Sequence, residues 1–270
     1  MRIAGAVALV TGANRGLGRA FVQALRARGA AKIYAAARDP ATIGEPGVEK
    51  LRLDITRPDQ VAAAAAHCAD ATLLINNAGV FRHAPLIETP TLDDARAEME
   101  TNYFGTLSMC RAFAPVLKRN GGGALVNVLS VASWVNVATQ GSYCASKAAQ
   151  LSLTAGVRTE LRDQGTLVVG VHAGYIDTDM VAHLAVPKSR PEDVVAATLA
   201  GIEAGEEEVL ADQRAIDIKA GLRRDPKAVE AMVEGLWRQR PAARTSGRRR
   251  GLDPERCGIW GVFRAEAIAA

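Results

Sequence analysis

Tyr143 and Lys147 stand four residues apart in Tyr-Cys-Ala-Ser-Lys, a spacing that places both side chains on one face of a helix. A phenol is a poor proton donor and a scarce base near neutrality because its reference pKa is about 10, but a cation held beside it favours the phenolate. Lowering that pKa by about three units takes about 4 kcal/mol of differential interaction, and one ammonium in a partly dry site can supply much of it. The pair reads as an acid and the group that tunes it. The alternative is a helix that carries both residue types by chance.

A second chemical feature lies near the other end, where Thr11-Gly-Ala-Asn-Arg-Gly-Leu-Gly18 directly follows the apolar run Ala6–Val10. This is the order strand, glycine turn, helix. Leu17, Phe21, Ala24, Leu25 and Arg28 fall at helical spacing and Gly29 supplies a C-terminal stop. Glycines at 12, 16 and 18 let the backbone turn sharply and bring its N–H groups against a pyrophosphate, to which the helix N-terminus adds its positive end. The spacing differs from G-x-G-x-x-G, and a glycine-rich turn by itself is weak support for a phosphate site. Met1-Arg2 before an apolar stretch mimics a secretory signal, but the run is short and Arg15 and Arg19 follow it at once, so export is not expected.

Further motifs fall in order along the chain: Asp54 in Leu51-Arg-Leu-Asp-Ile55, then Asn76-Asn-Ala-Gly79, then Asn102 in Thr101-Asn-Tyr-Phe-Gly105, then Ser130, thirteen residues before Tyr143. Together with the glycine turn and the Tyr/Lys pair, they resemble the short-chain dehydrogenase/reductase family over about residues 3–215. The resemblance implies a catalytic tetrad of Asn102, Ser130, Tyr143 and Lys147. It also implies a dinucleotide held by Thr11, Gly12, Arg15, Gly16, Leu17 and Gly18, with Arg38 at the ribose, Asp54 and Ile55 at the adenine, and Asn76, Ala78 and Gly79 along the adenosine. Ile176 and Thr178 match positions that contact the nicotinamide carboxamide, beside Tyr143 and Lys147. In such a site Tyr143 exchanges the proton, Ser130 polarises the carbonyl oxygen, and Lys147 lowers the phenol pKa and binds ribose. Asn102 holds a water that links Lys147 to solvent.

Two positions depart from the family pattern. Ala173-Gly174 replaces a usual Pro-Gly pair, removing a rigid φ restraint and predicting looser nicotinamide placement. Leu129-Ser130 replaces two adjacent serines but keeps the one that matters.

Charge favours NADP(H) over NAD. An acidic side chain at the end of the second strand would bind a ribose 2′-hydroxyl and repel a 2′-phosphate, yet Ala37 stands there, followed by Arg38, with Arg15 in the glycine turn. Arginine offers a planar fork of donors suited to phosphate. The alternative leaves both arginines solvated and lets Asp39 reach the ribose.

These side chains need a scaffold, and apolar runs at Val7–Val10, Ile33–Ala36, Leu73–Ile75, Leu125–Leu129 and Leu167–Val171 alternate with helical stretches. Such alternation predicts an α/β fold, a single-domain doubly wound parallel sheet of Rossmann type with helices on both faces. Glu206–Ala211 offers a last short strand, and Pro191 marks a helix start. Ser130 and residues 173–178 then leave the carboxyl edge of the sheet, where such folds bind ligands. Trp134, Val135, Tyr175, Met180, Val181 and Leu184 are the expected lining of an apolar substrate pocket, and the short stretch 179–190 argues against a large lid.

At 270 residues and 49% hydrophobic composition the chain can bury a substantial core, yet no segment reaches the roughly twenty apolar residues of a membrane span. Cysteines at 68, 110, 144 and 257 show neither metal-ligand spacing nor a disulfide framework, which suits a reducing cytoplasm; no metal site is expected, and Cys144 reads as a small core residue. The catalytic domain is expected over residues 1–236 and a flexible basic tail over 237–270, where Arg238, Arg240, Arg244, Arg248, Arg249 and Arg250 cluster. With a net charge of only +4 and no aromatic platform among those arginines, nucleic acid is not the expected partner. Cys257–Phe263 offers a segment that could dock on the body or on a second copy, leaving a homo-oligomer open. The reading is an oxidoreductase passing hydride between NADP(H) and a carbonyl or secondary alcohol, with a small to medium apolar ketone or aldehyde as substrate. The competing reading is an NADP(H)-binding sensor with little turnover.

Overall fold

A computed structural model of the chain describes residues 1–238. In chain order its elements are β1 (Val7–Thr11), α1 (Gly16–Ala27), β2 (Lys32–Ala37), β3 (Glu49–Arg52), α2 (Pro58–His67), β4 (Leu73–Asn76), α3 (Asp93–Glu98), α4 (Thr106–Arg119), β5 (Ala124–Val128), α5 (Gly141–Leu161), β6 (Leu167–His172), α6 (Pro191–Ala204), β7 (Glu208–Leu210), α7 (Gln213–Arg224) and α8 (Pro226–Arg238). The strands form one sheet in the order β3-β2-β1-β4-β5-β6-β7, and every neighbouring pair is parallel. The order reverses between β1 and β4, so the chain leaves their carboxyl ends in opposite directions and opens a crevice there.

Helices cover both faces, which is why the central strands read as continuous apolar runs. Alternate residues of β1 serve different cores: Ala8 and Val10 pack among Phe21, Leu25, Val195 and Leu199 of α1 and α6. Leu9 packs on the other face among Met109, Phe113 and Leu117 of α4. The edge strand β3 has no such pattern, because Glu49 and Leu51 are only half-buried and Lys50 and Arg52 are exposed; that exposure hides it from a search for apolar runs. Other elements lie close to their expected places. Helix α1 ends at Ala27 and is followed by Gly29 in the left-handed region, φ 75°, α6 begins at Pro191, and the last strand is shorter than residues 206–211.

Two boundaries differ in ways that affect the site. Strand β5 stops at Val128, not Leu129, so Ser130 lies just beyond it in extended backbone, at φ −167° and ψ 161°. Between α3 and α4 the helix continues through a π-helical stretch, Met99–Gly105, that contains Asn102; such a widened turn is a common marker of functional positions. The tail expected from residue 237 starts inside α8, which includes Trp237 and Arg238, and the rest of that basic segment, with Cys257–Phe263, lies outside the described residues. Among the described residues no helix is long and apolar enough to cross a membrane.

Candidate active site

A cleft of about 490 Å³ opens at the carboxyl edge of the sheet, and Ser130, Tyr143 and Lys147 all line it. Tyr143 lies in the first turn of α5 with Lys147 one turn on. The Lys147 Nζ is 5.8 Å from the Tyr143 ring centroid, and Phe81 meets the same ring edge-on at 4.9 Å. Ser130 is fixed by its own local turn: its Oγ accepts from Ala132 N at 3.1 Å and lies 3.5 Å from Ala173 O.

Burial rules the titration of both groups on α5. It pushes the Tyr143 phenol above its usual value, against the Ser130 hydroxyl, which favours the phenolate. It also pulls the Lys147 amine down to about 7. Burial outweighs the neighbouring groups at Tyr143, and Lys147 is not among those that shift the phenol. A buried amine that gives up its own proton near neutrality exerts little field on its neighbour. The phenol is held in its acid form.

Asn102 stands one layer back from the cleft. Its side chain accepts from Val80 N at 2.9 Å and donates to Val80 O at 3.0 Å and Ser146 Oγ at 2.9 Å, and Thr101, not Asn102, lines the cavity. It ties the loop after β4 to α5. Thr11 and Asn76 are likewise joints. The Thr11 hydroxyl accepts from Asn77 N and Ala78 N, each at 3.0 Å, and the Asn76 amide donates to Asn127 Oδ1 at 2.9 Å inside the sheet. Neither side chain faces the opening.

The other expected cofactor residues do line the cleft: Gly12, Arg15, Gly16, Leu17, Gly18, Arg38, Asp54, Ile55, Ala78, Gly79, Ile176 and Thr178. The turn between β1 and α1 fits a pyrophosphate because its backbone is bare. Gly16 has φ 50°, and a Cβ on Gly18 would lie 2.1 Å from Gly12 O, an approach no larger residue survives without opening the turn. Arg15 pairs with Asp179 at 3.5 Å across the mouth, both side chains mostly exposed. The Asp39 carboxylate caps its own turn by accepting from Ala41 N at 3.0 Å. Asp54 accepts from Thr56 N at 3.0 Å and Thr56 Oγ1 at 2.7 Å.

The remaining half of the cleft is apolar and comes largely from segments that carry no motif. Ile218 of α7 and Met232, Val233 and Leu236 of α8 close it. Val135, Tyr175, Met180 and Val181 line it as expected, whereas Trp134 and Leu184 do not. Trp134 instead stacks on His172 at 3.9 Å, with Lys219 Nζ 4.6 Å from the Trp134 ring, and burial lowers the His172 pKa to about 4. Arg214 adds a guanidinium to this half, 5.1 Å from the Tyr175 ring centroid.

The loop after β6 is tied down without the missing proline. Asp212, the N-cap of α7, accepts from Gly174 N and Ser189 Oγ at 2.8 Å each, and from Ala215 N at 2.8 Å. One carboxylate replaces the lost φ restraint with hydrogen bonds. Cys144 is buried, and its thiol is pushed up to about 11 by that burial, which leaves it a poor nucleophile.

The chain is similar to known proteins. The short chain dehydrogenase family matches residues 6–188. The chain is 30% identical over 246 residues to the 3-oxoacyl-acyl-carrier-protein reductase FabG of Vibrio cholerae, covering 87% of this chain and 96% of that one. It is 35% identical over 187 residues to a sorbitol dehydrogenase of Cereibacter sphaeroides, covering 66% and 73%. A crystal structure of a short chain dehydrogenase from Burkholderia cenocepacia in complex with NADP superposes with a TM-score of 0.84 at 46% identity, covering 86% of this chain and 99% of that one.

Proposed function

Since the chain belongs to the short-chain dehydrogenase family, we propose that it is an NADP(H)-dependent oxidoreductase interconverting a carbonyl and a secondary alcohol on a small to medium apolar substrate. The observation that carries this reading is the convergence of Ser130, Tyr143 and Lys147 on one cleft with the bare glycine turn and Arg15 and Arg38. Bound NADPH supplies the hydride.

The chain's own groups handle the oxygen and its proton. Tyr143 donates to the carbonyl oxygen in reduction and recovers that proton in the reverse direction. A phenol is protonated at neutral pH at its reference pKa of about 10, and burial raises the pKa further; the acid is the form that reduction requires. Ser130 donates a hydrogen bond to the same oxygen as charge builds on it. Burial pulls the Lys147 amine down toward neutrality, which suits it to pass a proton on.

Preference for NADP(H) rests on Arg15 and Arg38 at the cleft and Ala37 where an acid would oppose a 2′-phosphate. Asp39 is engaged in its own turn, and Arg15 would exchange Asp179 for phosphate. Apolar walls from α7 and α8 favour ketones and aldehydes with hydrocarbon bulk.

An NADPH-oxidation screen over ketones and aldehydes tests the reading. Turnover of at least one is expected, with kcat falling by about 100- to 10,000-fold in Tyr143→Phe. Near wild-type turnover in that variant refutes the assigned acid; cofactor binding with no turnover across the panel supports a sensor.

A further inference from the structure

The Lys147 amine meets protein groups on two sides. Its Nζ donates to Val128 O at 2.8 Å and to Gln150 Oε1 at 2.8 Å. In its protonated form the amine has three donors, so two are committed to the protein and one is left for the cleft. Gln150 is 1% exposed, on the same helix three residues on. An unpartnered amide would be costly at so dry a position, and Gln150 is hydrogen-bonded at both its oxygen and its nitrogen.

From Gln150 the donors run in a single direction. Its Nε2 donates to Thr106 Oγ1 at 3.0 Å, and Thr106 Oγ1 donates to Asn102 O at 2.8 Å. Turning the amide over would set an NH₂ against the amine and leave the Thr106 hydroxyl with two acceptors for one proton, so the orientation is fixed by its neighbours. On the far side Asn102 Nδ2 donates to Ser146 Oγ, which donates to Tyr143 O at 2.8 Å. Lys147 and Asn102, which the family resemblance joins through water, are also linked through the side chains of Gln150 and Thr106.

We propose that Gln150 is the positioning residue for the Lys147 amine, aiming its last donor into the cleft and coupling it through Thr106 to Asn102. Its link to turnover rests on the oxidoreductase reading above; its hold on the amine does not.

The test separates the two. In cofactor-free protein labelled with [13C]lysine, the Lys147 Cε resonance is assigned by its loss in Lys147→Arg and followed against pH. Gln150→Glu is nearly isosteric and sets a carboxylate against the amine, so its titration moves up by about 1–3 units. Gln150→Leu removes the acceptor, and the titration moves down. With a turned-over substrate, Gln150→Leu lowers kcat by about 10- to 100-fold with little change in KM, as expected for a misdirected group. An unmoved Lys147 titration in Gln150→Glu overturns the proposal, as does a wild-type kcat in Gln150→Leu. Should Gln150→Leu fail to fold, Gln150→Glu decides by itself. A shifted titration in a protein that reduces nothing sinks the enzyme reading and leaves this one standing.

Discussion

The cleft has two halves built from different material. Around the β1–α1 turn the lining is largely backbone and glycine from residues 12–18, and the charged groups at its rim, Arg15 and, across the mouth, Asp179, are exposed. Across the opening the lining is apolar side chains from α7, α8 and the loops after β5 and β6, brought together from residues more than a hundred positions apart. The first half is shaped by what is missing, a Cβ; the second by what is present, hydrocarbon. Sequence motifs record the former because a bare backbone admits only glycine. They do not record the latter, since many apolar residues fill a wall equally well.

Lys147 sits where the halves meet, and it offers the largest effect. Its folded pKa is about 7 against 10.5 in an unfolded chain, so between these values the unfolded state binds more protons and stability rises with pH. Below pH 7 the full cost of charging the buried amine is present, on the order of several kcal/mol. Lys147→Met removes that component. Denaturant unfolding of both proteins should show the variant's advantage greatest at pH 6–7 and shrinking by about 1.4 kcal/mol per pH unit toward pH 10. A pH-independent difference would mean that burial does not govern this amine.

Gly18→Ala attacks the glycine half. Alanine favours a helix by about 1 kcal/mol, yet its Cβ would lie 2.1 Å from Gly12 O and 2.6 Å from Asn77 Nδ2. Opening the turn costs about 1–3 kcal/mol, which should weaken NADPH binding by roughly 10- to 100-fold in a fluorescence titration. Unchanged affinity would show that bare backbone is not what binds there.

Arg38→Asp keeps the backbone and reverses one charge at the rim. The side chain is exposed, so solvent screens its field, and a loss of about tenfold for NADPH is expected, with little change for NADH. Equal losses for the two cofactors would remove the charge argument for NADP(H).

The same contrast explains how much of this protein was legible in advance. The parallel sheet follows from apolar runs such as Val7–Val10, buried from Ala8 onward, and the cleft contains Ser130, Tyr143 and Lys147 because local spacing and strand ends fix them. What escaped was non-local. Asn102, Thr11 and Asn76 carry family motifs but turn inward to hold loops together, and a motif does not say which way an amide points. Trp134 left the pocket for His172, a partner 38 residues away in sequence. Gln150 was invisible because its function depends on Thr106, 44 residues earlier. Asp212 could have been noticed as a helix N-cap, but only packing reveals that it also ties down Gly174 and Ser189.

Leu236→Ala gives the smallest effect and the sharpest test of the apolar half. Leu236 is half-buried and lines the cleft from α8, far from Tyr143 in sequence and without any role in proton transfer. Removing its branched end takes away about 1 kcal/mol of apolar burial from a substrate long enough to reach it. KM for such a ketone should rise by about fivefold at constant kcat, because weakening the ground and transition states equally leaves the chemical step alone. A short ketone that never touches α8 should show no change. If both substrates bind equally less well, α8 acts as a clamp on the whole fold instead of a wall against one end of the substrate.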